Sequence, residues 1–266
     1  MGWNGAYWDK KQEMSAAAKR HHKRMLHQYP SEILSSVQDT VVWDSTKLRV
    51  CDTDRSGKTE IVVDNTDTVS GLFEHMDGRT VVLNFASYKN PGGGFMNGSS
   101  AQEESLCHAS TLYEVLTSSS LSLYYGYNNS HKNNALYEDR ALWSPSIIFE
   151  KDGKTVRADV ITCAAPNRKA YIGYAKGADE ARNLETLRSR IFFVADVIKA
   201  HMDVRTAILG AFGCGVFGQD PGMVAGFFKE AFQDTEIKTV YAVIDKGGHS
   251  KKGAYTLFQE VFADQD

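Results

Sequence analysis

The sequence predicts a layered α/β fold, with helices on both faces of a mostly parallel sheet. Three observations carry this. Short apolar, β-branched runs such as Thr80-Val81-Val82-Leu83-Asn84-Phe85 suit strands buried on both faces. They alternate with stretches of helical period, clearest over 178–200, where Leu184, Leu187, Ile191, Val194 and Ile198 recur on one side. Glycine-rich loops follow two of the strands, after Phe85 and after Ala211, at the carboxyl edge where such sheets bind ligands. No repeat or low-complexity linker divides the chain. Residues 1–266 are therefore read as one domain, with an N-terminal helical extension at about 1–45.

Residues 10–28 read as a helix, with Ala16, Ala17 and Ala18 as strong formers and Lys19, Arg20, Lys23 and Arg24 on a basic, solvated face. Pro30-Ser31-Glu32 opens a second helix over 32–38. Strands are expected at 40–44, 48–52 and 60–64, and a helix at 70–76 that ends at Asp77-Gly78. Strand 80–85 leads into the first glycine loop. Residues 102–117 read as one helix, and 118–134, rich in Ser, Tyr and Asn, as irregular. A buried strand at 157–164 ends at Ala165-Pro166-Asn167. Helix 178–200, strands 206–211 and 239–245, and helices 221–232 and 254–262 complete the chain.

The composition, 42% hydrophobic and 24% charged, is that of an ordinary globular protein. A net charge of -3 supplies no bulk attraction to nucleic acid or to a membrane. Cys51, Cys107, Cys163 and Cys214 lie far apart, without CxxC spacing, and read as free thiols in a reducing compartment. The first residues lack an apolar signal core, and no run of 18 apolar residues occurs. The expected location is the cytoplasm, or the nucleus.

The densest chemistry lies at Pro91-Gly92-Gly93-Gly94, followed after seven residues by Gln102-Glu103-Glu104. Bare backbone lets a ligand press against peptide N–H groups, and two carboxylates fall within reach of the same place. A phosphate cradle beside a carboxylate pair suggests chemistry on a phosphorylated sugar. A plainer reading of Glu-Glu at a helix start is that it offsets the positive helix end by about 0.3–1 kcal/mol. The second loop, Gly210 to Gly218, contains GxGxxG from Gly213. A dinucleotide fold wants an acid about 20 residues further on. The nearest strand-end acid, Asp245, stands 27 residues beyond Gly218. A loop that wraps a pyrophosphate with successive N–H groups fits better. Gly57-Lys58-Thr59 and Gly153-Lys154-Thr155 have the tail of a P-loop but not its first glycine, and read as polar turns.

These blocks together resemble the poly(ADP-ribose) glycohydrolases. Gly92-Gly93-Gly94 … Gln102-Glu103-Glu104 is similar to that family's triglycine and QEE signature. Val81 to Ser87, Asn90-Pro91, Leu136-Tyr137-Glu138-Asp139-Arg140, Ser144-Pro145, Ala164-Ala165-Pro166-Asn167 and Gly210 to Pro221 resemble its microbial branch, in family order. The resemblance implies a macrodomain-like three-layer α/β/α fold with a mixed central sheet. It implies ADP-ribose and poly(ADP-ribose) as ligands, free or attached to protein or nucleic acid, with no metal or cofactor, no membrane and a monomeric state. Glu104 matches the catalytic acid/base, and Glu103 the neighbour that holds the scissile ribose. Gly92, Gly93 and Gly94 match the loop against that ribose and the phosphates. Gly213, Cys214, Gly215, Val216 and Phe217 match the diphosphate loop, with the Phe217 ring orienting the terminal ribose. Gln102, Ser87 and Asn90 complete the expected contacts. Ser87 stands where many macrodomains have asparagine, and Asn90 is the alternative for that contact.

The implied reaction cuts ribose–ribose O-glycosidic bonds and releases ADP-ribose, a de-ADP-ribosylation of the kind that serves the DNA damage response. Rival readings are a non-cutting ADP-ribose reader, a hydrolase acting on an ADP-ribosylated nucleobase or side chain, and a nicotinamide-dependent oxidoreductase. The carboxylate pair argues against the reader. Cys214, inside the second loop, has no implied histidine partner. Cys107 and His108 are adjacent on a helix and point in different directions. His21-His22 reads as solvated. Trp3 and Trp8 read as packing the N-terminal segment, and Tyr124, Tyr125 and Tyr127 as either packing or the lining of a channel.

Overall fold

A computed structural model describes residues 3–48, 54–245 and 252–263. The first half runs α1 (Trp3–Gln28), α2 (Pro30–Asp39), β1 (Val41–Asp44), α3 (Ser45–Leu48), β2 (Ile61–Asp64), α4 (Thr68–His75), β3 (Arg79–Phe85), α5 (Gln102–His108), α6 (Leu112–Leu116) and α7 (Ser122–Ser130). There follow β4 (Arg140–Lys151), β5 (Lys154–Cys163), α8 (Arg168–Tyr174), α9 (Glu180–Lys199), β6 (Val204–Leu209), α10 (Pro221–Ala231), β7 (Lys238–Ala242) and α11 (Ala254–Ala263).

The seven strands form one sheet in the order β1-β4-β5-β3-β6-β7-β2. Pairings from β5 across to β2 are parallel, whereas β4 is antiparallel to both β1 and β5. The sheet is mixed, as expected. Its strands are apolar on both faces because each face carries helices. Val81 and Leu83 join Ala207 and Leu209 beneath α9, α10 and α11, through Ile191, Phe228 and Phe258. Val82, Val160, Ile208 and Val240 pack on the other side with Met25, Leu72, Leu106 and Leu112.

Several local expectations are corrected, and two elements were not expected. The single helix expected over 102–117 breaks at Ala109-Ser110-Thr111. There the backbone turns to β4, Glu150 N–H donating to Ala109 O at 2.7 Å and Thr111 N–H to Ile148 O at 3.0 Å. Residues 118–134 are not irregular. Buried Tyr124, Tyr125 and Asn128 fix α7 against the core, and packing overrides weak propensity. Strand β4 itself was not expected. Its Ser-Pro-Ser stretch shifts the register between Ser144 and Ile147 with Ser146 at φ 56°, a bulge that accommodates the proline. Helix α8 also went unexpected. Of the strand expected at 48–52, Leu48 ends α3 and the rest, with Cys51, lies outside the described residues. Asp152-Gly153 joins β4 to β5 with both residues at positive φ, so Gly153-Lys154-Thr155 belongs to a hairpin.

Candidate active site

Strands β3 and β6 are neighbours, and each releases one glycine loop at its carboxyl end. The loops start side by side, the Phe85 and Phe212 rings meeting at 5.7 Å between centroids. After Phe85 the chain turns through Asn90, whose carbonyl accepts from Gly93 N–H at 3.0 Å. Gly92 and Gly93 are left-handed, with φ of 69° and 59°.

The amides around this turn face the glutamates. Gly94 N–H donates to Glu104 Oε1 at 2.7 Å and Ala101 N–H to Glu104 Oε2 at 2.9 Å, closing the first turn of α5. Ser87 N–H donates to Glu103 Oε2 at 2.8 Å and Asn84 Nδ2 to Glu103 Oε1 at 3.3 Å. Both side chains are buried, Glu103 at 3% and Glu104 at 6% exposure. Gly93 is wedged against both: a Cβ there would lie 2.5 Å from Glu104 Oε1 and 2.9 Å from Glu103 Oε2. Only a residue without a side chain fits.

Burial pushes the Glu103 carboxyl up to about 8, and the charge of Glu104 pushes the same way; hydrogen bonds from Ser87, Asn84 and Gly92 oppose. Glu103 can therefore hold a proton at neutral pH in a water-poor setting.

The second loop is of the opposite kind. Cys214 N–H is taken by Ala211 O and Gln219 N–H by Gly213 O, which fixes the two ends of the bend. Among the described residues, the N–H groups of Gly215, Val216 and Phe217 have no protein acceptor. Gly215 and Val216 are exposed. Successive open amides suit a diphosphate. Burial pushes the Cys214 thiol well above the ordinary range, which fits a packed side chain rather than a nucleophile. The half-buried Phe217 ring stands 6.2 Å from Tyr137, which stacks on Tyr88 at 4.2 Å.

The structure thus brings Ser87, Asn90, Gly92, Gly93, Gly94, Glu103 and Glu104 to one place, with Gly213, Cys214, Gly215, Val216 and Phe217 on the adjoining loop. Both loops were expected to present amides to phosphate. In the first loop, however, Gly93 N–H closes the turn and Gly94 N–H holds Glu104. Gln102 points into the sheet. Its Oε1 accepts from Phe85 N–H at 2.9 Å, and its Nε2 donates to Leu83 O at 2.9 Å and Thr68 Oγ1 at 3.2 Å. Ser87 Oγ accepts from Asn90 N–H at 3.2 Å. Asn84 went unnoticed, although a lone amide within Val-Val-Leu-Asn-Phe was the available signal. Asp64, Glu74 and His75 also gather closely enough to hold a cation, with His75 paired to Asp64 at 2.8 Å. His22, expected to be solvated, meets buried Glu114 at 3.0 Å, and His21 is itself buried.

Fold and site together define a macrodomain-type α/β/α protein with a buried carboxylate pair beside an open amide loop. The family described as microbial-type PARG, catalytic domain, matches residues 10–152, and the chain belongs to it. The poly(ADP-ribose) glycohydrolase from Thermomonospora curvata superposes with a TM-score of 0.82 at 28% identity, over 94% of this chain and 100% of that one. The same enzyme bound to the inhibitor ADP-HPD gives 0.80. The poly(ADP-ribose) glycohydrolase from Deinococcus radiodurans in complex with ADP-ribose gives 0.75 at 32% identity, over 87% and 97%. A comparison with curated protein sequences found no match. Among the described residues no helix is long and apolar enough to cross a membrane.

Proposed function

We infer that this protein is a poly(ADP-ribose) glycohydrolase that cuts ribose–ribose O-glycosidic bonds and releases ADP-ribose. The observation that carries the reading is Gly93 wedged between two buried carboxylates, beside a loop with three open amides. Gly215, Val216 and Phe217 hold the diphosphate by their N–H groups, which need no reorganisation during reaction. The Phe217 ring packs on the distal ribose. Glu103, fixed by Ser87 and Asn84, holds the ribose hydroxyls. Glu104 gives a proton to the departing oxygen. The C1–O bond breaks through an oxocarbenium-like state. The Glu104 carboxylate then takes a proton from the attacking water.

In this reading residues 1–266 act as a single monomeric domain in the cytoplasm, on ADP-ribose chains free or attached to protein or nucleic acid. The free thiols of Cys107, Cys163 and Cys214 fit a reducing compartment. Chromatography of poly(ADP-ribose) digests tests the reading. Wild type should release ADP-ribose, and Glu104→Gln should do so about 10²–10⁴-fold more slowly, as loss of a general acid implies. Turnover by Glu104→Gln at the wild-type rate would remove Glu104 from the role.

A further inference from the structure

A cavity of about 560 Å³ opens at the same sheet edge, next to the candidate active site, where β1 ends and β4 begins. Tyr137 forms the wall between the two: it lines the cavity and its ring faces Phe217 at 6.2 Å. That wall is strained. Asn133, Asn134, Ala135 and Tyr137 all have positive φ, from 44° to 71°. Asparagine adopts such angles readily, but at Ala135 and Tyr137 the surrounding structure imposes them.

The donor inside the cavity is Arg140. Its guanidinium lies 4.0 Å from the Tyr127 ring centroid and 5.4 Å from that of Tyr124, which fixes its plane. Its Nε is buried with no hydrogen-bond partner, and among the described residues Arg140 forms no ion pair. A buried guanidinium nitrogen without a partner is costly, and Arg140 lies in the lining of the cavity. The neighbouring acids take their present hydrogen bonds from donors other than Arg140. Asp139 holds Arg190 and Ser189, Asp44 accepts from the N–H groups of Thr46 and Lys47, and Glu138 accepts from Tyr127 Oη–H at 3.1 Å.

Four carboxylates, those of Asp44, Glu138, Asp139 and Glu185, against the guanidiniums of Arg140 and Arg190 make the lining net acidic. A second diphosphate is disfavoured here. A neutral ligand with both acceptors and donors is favoured. In a ribose–ribose-linked chain, the part of the leaving group bonded to the scissile oxygen is a nucleoside, which has that chemistry. We propose that this cavity is the subsite for the leaving nucleoside. Arg140 donates to a base acceptor, and the carboxylates accept from the exocyclic amine and ribose hydroxyls. The proposal rests on the hydrolase reading above and makes Arg140 a determinant of polymer over single-unit substrates.

The test compares kcat/KM on poly(ADP-ribose) with kcat/KM on ADP-ribose bearing a small phenolic aglycone at C1 of the distal ribose, which lacks the leaving nucleoside. Arg140→Met should lose about 10–100-fold on the polymer, the worth of a hydrogen bond to a charged group. Its turnover of the phenolic substrate and its Kd for ADP-ribose should stay within about twofold. Arg140→Lys keeps the charge and most of the ring packing, and should show the same selective loss in smaller measure. Polymer turnover unchanged in both variants, or an equal loss on both substrates, would overturn the subsite. If wild type cleaves neither substrate, the hydrolase reading fails first and the subsite with it. If wild type cleaves both and the variants do not discriminate, only the subsite fails.

Discussion

At the residue scale the proposed function turns on two adjacent glutamates given different surroundings. Glu103 is the one whose carboxyl burial raises to about 8. An acid whose folded pKa exceeds its unfolded value stabilises the fold most below the unfolded value, and that stability is lost as pH climbs through the folded one. The wild-type Tm should therefore fall between about pH 4.5 and pH 8, the window set by the unfolded and folded values. Glu103→Gln, which cannot ionise, should show a flatter Tm profile over that window. Equal slopes for the two proteins would mean that Glu103 is ordinarily ionised in the fold. The glycine between the carboxylates is as constrained as they are. Gly93→Ala must place a Cβ against both at positive φ, a backbone strain of about 1–2 kcal/mol before any displacement of the carboxylates.

At the element scale the site depends on how α5 is fastened to the end of β3. Gln102 holds Phe85 and Leu83 by their backbone just before the glycine loop leaves the sheet. Gln102→Ala leaves two backbone groups without that partner and should destabilise the protein by about 1–3 kcal/mol, read from a denaturant midpoint. Sequence reasoning placed Gln102 at the ligand because the signature moves as a block. Its amide geometry is visible only in three dimensions. The glycine loop is clasped from outside as well: Ser15 Oγ on α1 donates to Met96 O at 2.7 Å. Turn chemistry and apolar strands were readable locally. The break between α5 and α6 was not, because it is caused by β4, forty residues away, which accepts and donates at Ala109 and Thr111. Polar composition likewise hid α7, whose helix is set by three buried side chains.

At the scale of the whole molecule, parallel strands announce themselves as continuous apolar runs, so the layers and the edge that carries both glycine loops were legible. The antiparallel margin was not, since Pro145 and the bulge at Ser146 interrupt its pattern. That margin is tied to the rest by Arg190 on α9, whose side chain is 1% exposed. It donates to Asp139 at 2.6 Å, to Leu136 O at 3.3 Å, and to Ala164 O. Arg190→Met removes the cation that pairs with a carboxylate and leaves two carbonyls without that donor, and a loss of about 3–5 kcal/mol is expected in equilibrium unfolding. A loss under about 1 kcal/mol would mean that these groups find water instead.

A crystal structure with ADP-ribose bound decides where the anomeric carbon sits. The diphosphate should lie on the N–H groups of Gly215, Val216 and Phe217, with C1 of the distal ribose beside Gly93 and the Glu104 carboxylate within hydrogen-bond reach of the oxygen on C1. A nucleotide bound elsewhere, or one whose C1 points away from Glu104, would contradict the account.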